Sequence, residues 1–83
     1  MPATDIVLTD HARMQMQRRR VSLEDVALTL QHGEHVEGYE EGTGEACLDE
    51  LDGRPLTVVY DSFEHRFRGV FYVITVLRRR CSR

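Results

Sequence analysis

Arginine is the residue type in this sequence best suited to chemistry. All eleven basic residues are Arg, and Lys is absent. A planar guanidinium presents a fork of donors that matches phosphate or carboxylate oxygens, although a GC-rich genome would produce the same bias. The charge is segregated along the chain. Residues 53–83 hold seven arginines against Asp61 and Glu64, whereas residues 34–52 hold eight acids and no Arg. Metal chemistry finds no support in the spacing. His32 and His35 straddle the helix-ending Gly33, and no Cys or His pair has zinc spacing. Asp49, Glu50 and Asp52 fall in or beside a strand, so they form no calcium loop. Gly42 and Gly44 serve a turn and not a phosphate-binding loop. The expectation is therefore no metal and no cofactor.

Thr9 and Asp10 open a first helix that runs to about Arg19, with Ala12 and Met16 on its buried side. His11, Gln15 and Arg18 follow one stripe at i, i+4, i+7, with Arg19 between that stripe and the core. A second helix spans 22–32. Ser22 and Asp25 form a capping box, Val21 and Val26 can close over it, and Leu23, Val26, Ala27 and Leu30 give one apolar face. Gly33 is a natural C′ residue to stop it. Strands follow at about 35–40, 45–51, 55–60 and 70–78, with Asp52-Gly53 as a two-residue hairpin turn. The segment Asp61 to Arg68 reads as a connection whose Phe63 and Phe67 fold back onto the core. The expected architecture is a single α+β domain over 1–83, with two N-terminal helices followed by a four-stranded antiparallel sheet.

Strict alternation in the last strand puts Val70, Tyr72, Ile74 and Val76 on one face and Phe71, Val73, Thr75 and Leu77 on the other. Both faces are then apolar, yet two short helices cover only one. The second face needs a loop, a ligand or another chain, and a homodimer is the expected solution. No stretch approaches the roughly 20 apolar residues of a membrane span, and Met1 to Asp10 has no signal-peptide pattern. Cys47 and Cys81 fall short of a disulfide framework and suit a reducing, cytoplasmic compartment, with Cys81 as an exposed tail thiol.

Residues 9–22, Thr-Asp-His-Ala-Arg-Met-Gln-Met-Gln-Arg-Arg-Arg-Val-Ser, resemble the opening signature of the bacterial domain-of-unknown-function family numbered 4258. His11, Ala12, Met16, Arg19 and Ser22 match it, Val21 stands for Ile, and Gln15 stands where Arg is more usual. The resemblance continues through Leu23-Glu24-Asp25-Val26, Gly53-Arg54 and Val73-Ile74-Thr75-Val76. That family looks related to small toxins of the RelE and BrnT kind, some of which cleave RNA, so the resemblance implies a RelE-like fold and an RNA-directed activity.

Metal-independent RNA cleavage needs a proton acceptor, a proton donor and cations for the phosphorane. On this reading His11, Arg19 and Arg78 are the catalytic candidates. Gln15, His65, Arg66, Arg68 and Arg80 are the RNA-binding candidates. Each has a plainer explanation. His11 can bond nearby backbone at a helix start, Arg19 can pair with an acid, and the arginines after residue 77 can be a solvated tail. A net charge of −3 also opposes nucleic-acid binding unless the arginines form a patch turned away from the acidic strands. The alternative function is a non-catalytic interaction module whose sheet binds itself or an antitoxin-like protein.

Overall fold

Thr9 ends one element and starts the next. In the computed structural model, which describes residues 5–81, Thr9 follows strand β1 (Ile6–Leu8) and caps helix α1 (Asp10–Arg19). Its hydroxyl oxygen accepts from the Ala12 N–H at 3.0 Å, and its own N–H and O–H donate to the Val73 carbonyl at 3.2 and 3.0 Å. One residue thus closes a helix end and ties it to the sheet. At the far end Arg20 takes the left-handed conformation at φ 55°, and the Val21 N–H donates to the Met16 carbonyl at 2.8 Å.

Helix α2 (Leu23–His32) starts as its sequence requires. The Ser22 hydroxyl accepts from the Asp25 N–H and the Asp25 carboxylate accepts from the Ser22 N–H, both at 3.1 Å. A cap of this kind contributes roughly 0.5–2 kcal/mol. Gly33 does follow α2, but its φ of −76° is extended backbone, so left-handed freedom is not why glycine stands there. A Cβ on Gly33 would lie under 3.0 Å from the Thr29 carbonyl oxygen and 2.7 Å from that of Cys47. The glycine lets the helix end rest directly on strand backbone.

The remaining elements are β2 (Glu34–Glu37), β3 (Thr43–Leu51), β4 (Arg54–Asp61), α3 (Ser62–Arg68) and β5 (Phe71–Leu77). Asp52 and Gly53 turn between β3 and β4 with φ of 54° and 81°, the two positive values a tight hairpin needs. The sheet has five strands in the order β1-β5-β4-β3-β2. All pairs are antiparallel except β1 with β5, which is parallel. The four-stranded antiparallel expectation therefore becomes a five-stranded mixed sheet with a third helix. Three residues, Ile6-Val7-Leu8, are too short a run to display an alternation. The segment 62–68 is a helix capped by Asp61, whose carboxylate accepts from the Phe63 and Glu64 N–H groups at 2.9 and 3.1 Å. On that helix Phe63 and Phe67 are 55% and 83% exposed, so they do not seal the core.

Helices α1 and α2 cover one face of the sheet, burying Ala12, Met16, Val26 and Leu30 against Ala46, Leu56, Val58, Tyr60, Phe71, Val73 and Val76. The alternation expected for the last strand fails at one point. Thr75 pairs with Val59 and Val73 pairs with Tyr60, leaving Ile74 as an extra residue. A bulge of this kind resets which side chains point inward. Val76 accordingly joins Phe71 and Val73 in the core. On the opposite face Cys47 and Cys81 are joined as a disulfide with a Cα–Cα distance of 5.6 Å, against the expectation of two thiols. A sequence separation of 34 leaves no local signal of the pairing. Among the described residues, no helix is long and apolar enough to cross a membrane.

Candidate functional site

Two polar regions stand out. The first centres on Tyr60, at the end of β4, and brings the RNA-binding candidates His65 and Arg66 beside Tyr60 and His35, which the sequence did not single out as site residues. The Gly44–Tyr60 pair of the β3–β4 ladder lets the phenol lie across the glycine. A Cβ on Gly44 would come within 2.7–2.8 Å of the Tyr60 ring and hydroxyl. His35 on β2 approaches from the other side. Its Nε2 is 2.9 Å from the Leu30 carbonyl oxygen, which can only accept. That contact places the ring proton on Nε2, so in neutral His35 the Nδ1 accepts from the Tyr60 O–H at 2.9 Å. Burial raises the Tyr60 pKa above its ordinary value.

His65 on α3 completes the group, stacked on Phe71 with ring centroids 4.1 Å apart and edge-on to Tyr60 at 5.7 Å. Its Nδ1 is buried without a hydrogen-bond partner. Its pKa is lowered from 6.5, first by burial and then by the charge of His35. The sign follows from linkage. The unfolded chain takes up the proton first, so the stability present above about pH 6.5 is lost as pH falls towards the depressed folded value. Thermal melts from pH 7.5 down to 5 are expected to show a falling midpoint in the wild type and a smaller fall in His65→Phe. Parallel curves would remove His65 as the cause.

Beside this cluster lies a cleft of about 550 Å³ lined by His35, Tyr60, Phe63, Arg66 and the acidic Glu37, Glu40 and Glu41. Arg66, an RNA-binding candidate, does reach this cleft, but the surrounding carboxylates oppose a phosphate there. Arg68 pairs instead with Glu64 at 3.5 Å on the surface of α3. His35 and Tyr60 carried little sequence signal, since His35 lies past the end of α2 on the short strand β2 and no local rule joins residue 35 to residue 60.

The second region is the exposed side of α1. His11, Arg13, Arg18, Arg19 and Arg20 are all exposed. Arg19 Nε donates to Gln15 Oε1 at 3.1 Å, and Gln15, Arg18 and Arg19 border a hollow of about 210 Å³. His11 and Arg19 are eight residues apart, roughly 12 Å along the helix axis at ~1.5 Å per residue. Arg78 and Arg80 follow the end of β5, whereas His65, Arg66 and Arg68 precede its start. The candidates therefore divide between opposite ends of one strand, about 20 Å apart at ~3.3 Å per residue. Two Arg78 nitrogens, Nε and Nη1, are buried without hydrogen-bond partners. Helix α1 packs on β5 and β1, at one edge of the sheet, and the acidic β2 and β3 lie at the other. Five strands at ~4.8 Å spacing separate these edges by about 19 Å.

Two helices laid on one face of a five-stranded mixed sheet make this an α+β domain. Residues 8–78 match the family described as Domain of unknown function (DUF4258), and the chain belongs to that family. No curated protein and no solved structure matches it significantly.

Proposed function

We propose that the domain is directed to RNA, contacting phosphates through the exposed side of α1, in the manner of a RelE- or BrnT-type toxin. The observation that carries this reading is the segregation of charge. Arg13, Arg18, Arg19 and Arg20 accompany a single acid, Asp10, on and just after α1, while the acidic segment lies along the far edge of the sheet. A net charge of −3 therefore does not describe the field a nucleic acid meets at α1. Metal-independent cleavage is the stronger form of the proposal. His11 is its exposed proton-transfer group, Arg19 is a cation at the other end of the same helix that a bound RNA strand has to span, and Arg78 has to be reached from the end of β5.

Single-stranded RNA loses affinity with a log–log salt slope of about 0.7 per phosphate contacted, so four arginine contacts give a slope near ~3. Binding is expected to weaken ~50-fold between about 50 mM and about 200 mM salt, and Arg18→Gln/Arg19→Gln should lower the slope by roughly 1.4. No binding at low salt, or an unchanged slope in the variant, would sink the proposal. Cleavage and growth arrest measured for wild type against His11→Ala separate a nuclease from a binder.

A protein-interaction role is the second reading, favoured by one feature. Val7 and Tyr72 pair across β1 and β5 on the face without helices, and they are 38% and 41% exposed. That strip, continued by Ile74, suits a second copy of the chain or an antitoxin-like protein. A strictly monomeric mass in sedimentation equilibrium, with no co-purifying protein, would count against it.

A further inference from the structure

The sheet face turned away from α1 and α2 is not bare along its whole length. Thr57 is fully buried, Glu45 is 1% exposed and Cys47 is 5% exposed, although no helix covers them. Their side chains are met by the segment that follows β5. The Thr57 hydroxyl donates to the Arg79 carbonyl, the Arg79 guanidinium lies 3.4 Å from the Glu45 carboxylate, and Cys81 is bonded to Cys47. Residues 79–81 therefore cross the face as a strap.

Non-covalently the strap is held at Arg79, by the Thr57 hydroxyl and the Glu45 carboxylate. The β4–β5 ladder ends at the Thr57–Leu77 pair, so the strap continues no strand. The Arg79 side chain is 41% exposed and the Glu45 side chain it pairs with is 2% exposed, so solvent reaches this pair from the Arg79 side only. The covalent link is the strongest of the contacts described, and it is reachable. Cys81 is part-exposed while Cys47 is buried, so a reagent meets the Cys81 sulfur first. The Cα–Cα distance of 5.6 Å lies within the range a disulfide spans without backbone movement, roughly 4.4–6.8 Å.

We propose that Cys47 and Cys81 form a reversible redox clasp that closes the strap over the Glu45–Thr57 end of the sheet when oxidised and releases it when reduced. A small-molecule disulfide such as oxidised glutathione is the oxidant. The Cys81 thiolate attacks one of its sulfurs and expels a small thiolate. The Cys47 thiolate then attacks the Cys81 sulfur of the mixed disulfide and expels the second. Two protein thiols are oxidised, their two protons pass to solvent or to the departing thiolates, and one small disulfide becomes two thiols. A small dithiol reverses both steps. With the strap closed, Arg79 forms one wall of a hollow of about 190 Å³ bordered by Glu45, Val59, Ile74 and Thr75, so release of the strap would remove that wall and open this end of the face. This inference stands independently of RNA binding.

The test uses the full chain treated with oxidised glutathione or with dithiothreitol. Intact mass after alkylation is expected to show no reactive thiol in the first and two in the second, with the protein monomeric by non-reducing electrophoresis. Limited tryptic cleavage after Arg79 and Arg80 should run roughly 10-fold or more faster in the reduced protein, while cleavage after Arg18 to Arg20 keeps one rate. Cys81→Ser should cleave at the reduced rate under both conditions. Two alkylatable thiols after oxidation, a disulfide between chains, or equal strap cleavage in both states would each overturn the proposal.

Discussion

Tyr60→Ala is expected to destabilise the domain by about 3–5 kcal/mol, the usual result of deleting a buried aromatic side chain. A chain of 83 residues has a total stability of roughly 4–12 kcal/mol at ~0.05–0.15 kcal/mol per residue, so much of the reserve goes with one ring. Tyr60 is 6% exposed and meets Phe71 edge-on at 4.9 Å, with His35 and His65 on its flanks at 5.8 and 5.7 Å. No single neighbour can refill that space, because Gly44 beneath it has no side chain. Tyr60→Phe separates packing from hydrogen bonding. It strands the His35 Nδ1, but His35 is exposed and water can replace the lost donor, so the expected cost is only about 0.5–1.5 kcal/mol. Urea denaturation of both variants checks the pair. Equal losses would mean that the hydroxyl, and not the ring, is what the core depends on.

Gly33→Ala is expected to cost about 1–3 kcal/mol, towards the upper end, by prising α2 from β3. The atoms a Cβ would strike are the Thr29 and Cys47 carbonyl oxygens, and backbone cannot rotate away as a side chain does. Gly53 provides the control. It has φ of 81° and open space where a Cβ would be, so Gly53→Ala meets only the left-handed penalty of roughly 1–2 kcal/mol. Asn should recover part of the loss at residue 53, where conformation is the difficulty, and none at residue 33, where space is. Melting midpoints of the four variants decide between these causes. Recovery by Asn at residue 33 would show that helix termination, as the sequence suggests, is the glycine's role after all.

The features legible in the sequence share one property: the groups involved lie within about four residues of each other. The Ser22/Asp25 box, the Thr9 cap and the Asp52-Gly53 turn each act through backbone groups a few bonds away, so their residue types announce them. The family resemblance read from His11 to Ser22 likewise extends over residues 8–78. The stripe of His11, Gln15 and Arg18 on α1 was legible for the same reason, since a helix converts i, i+4, i+7 spacing directly into a shared face.

What only the tertiary structure decided depends on partners far apart in the chain. Ile6-Val7-Leu8 became a strand because β5 offered a parallel edge, 65 residues on in the Ile6–Phe71 register. One residue of slippage against β4, at Ile74, redistributed the side chains of the last strand between its faces. Phe63 and Phe67, spaced four apart, fit a helix or a returning loop equally well, and the Asp61 cap selected the helix that leaves them in solvent. The His35–Tyr60 bond and the Cys47–Cys81 link were invisible for a related reason. Each joins side chains 25 and 34 residues apart, through a sheet register that no local propensity encodes.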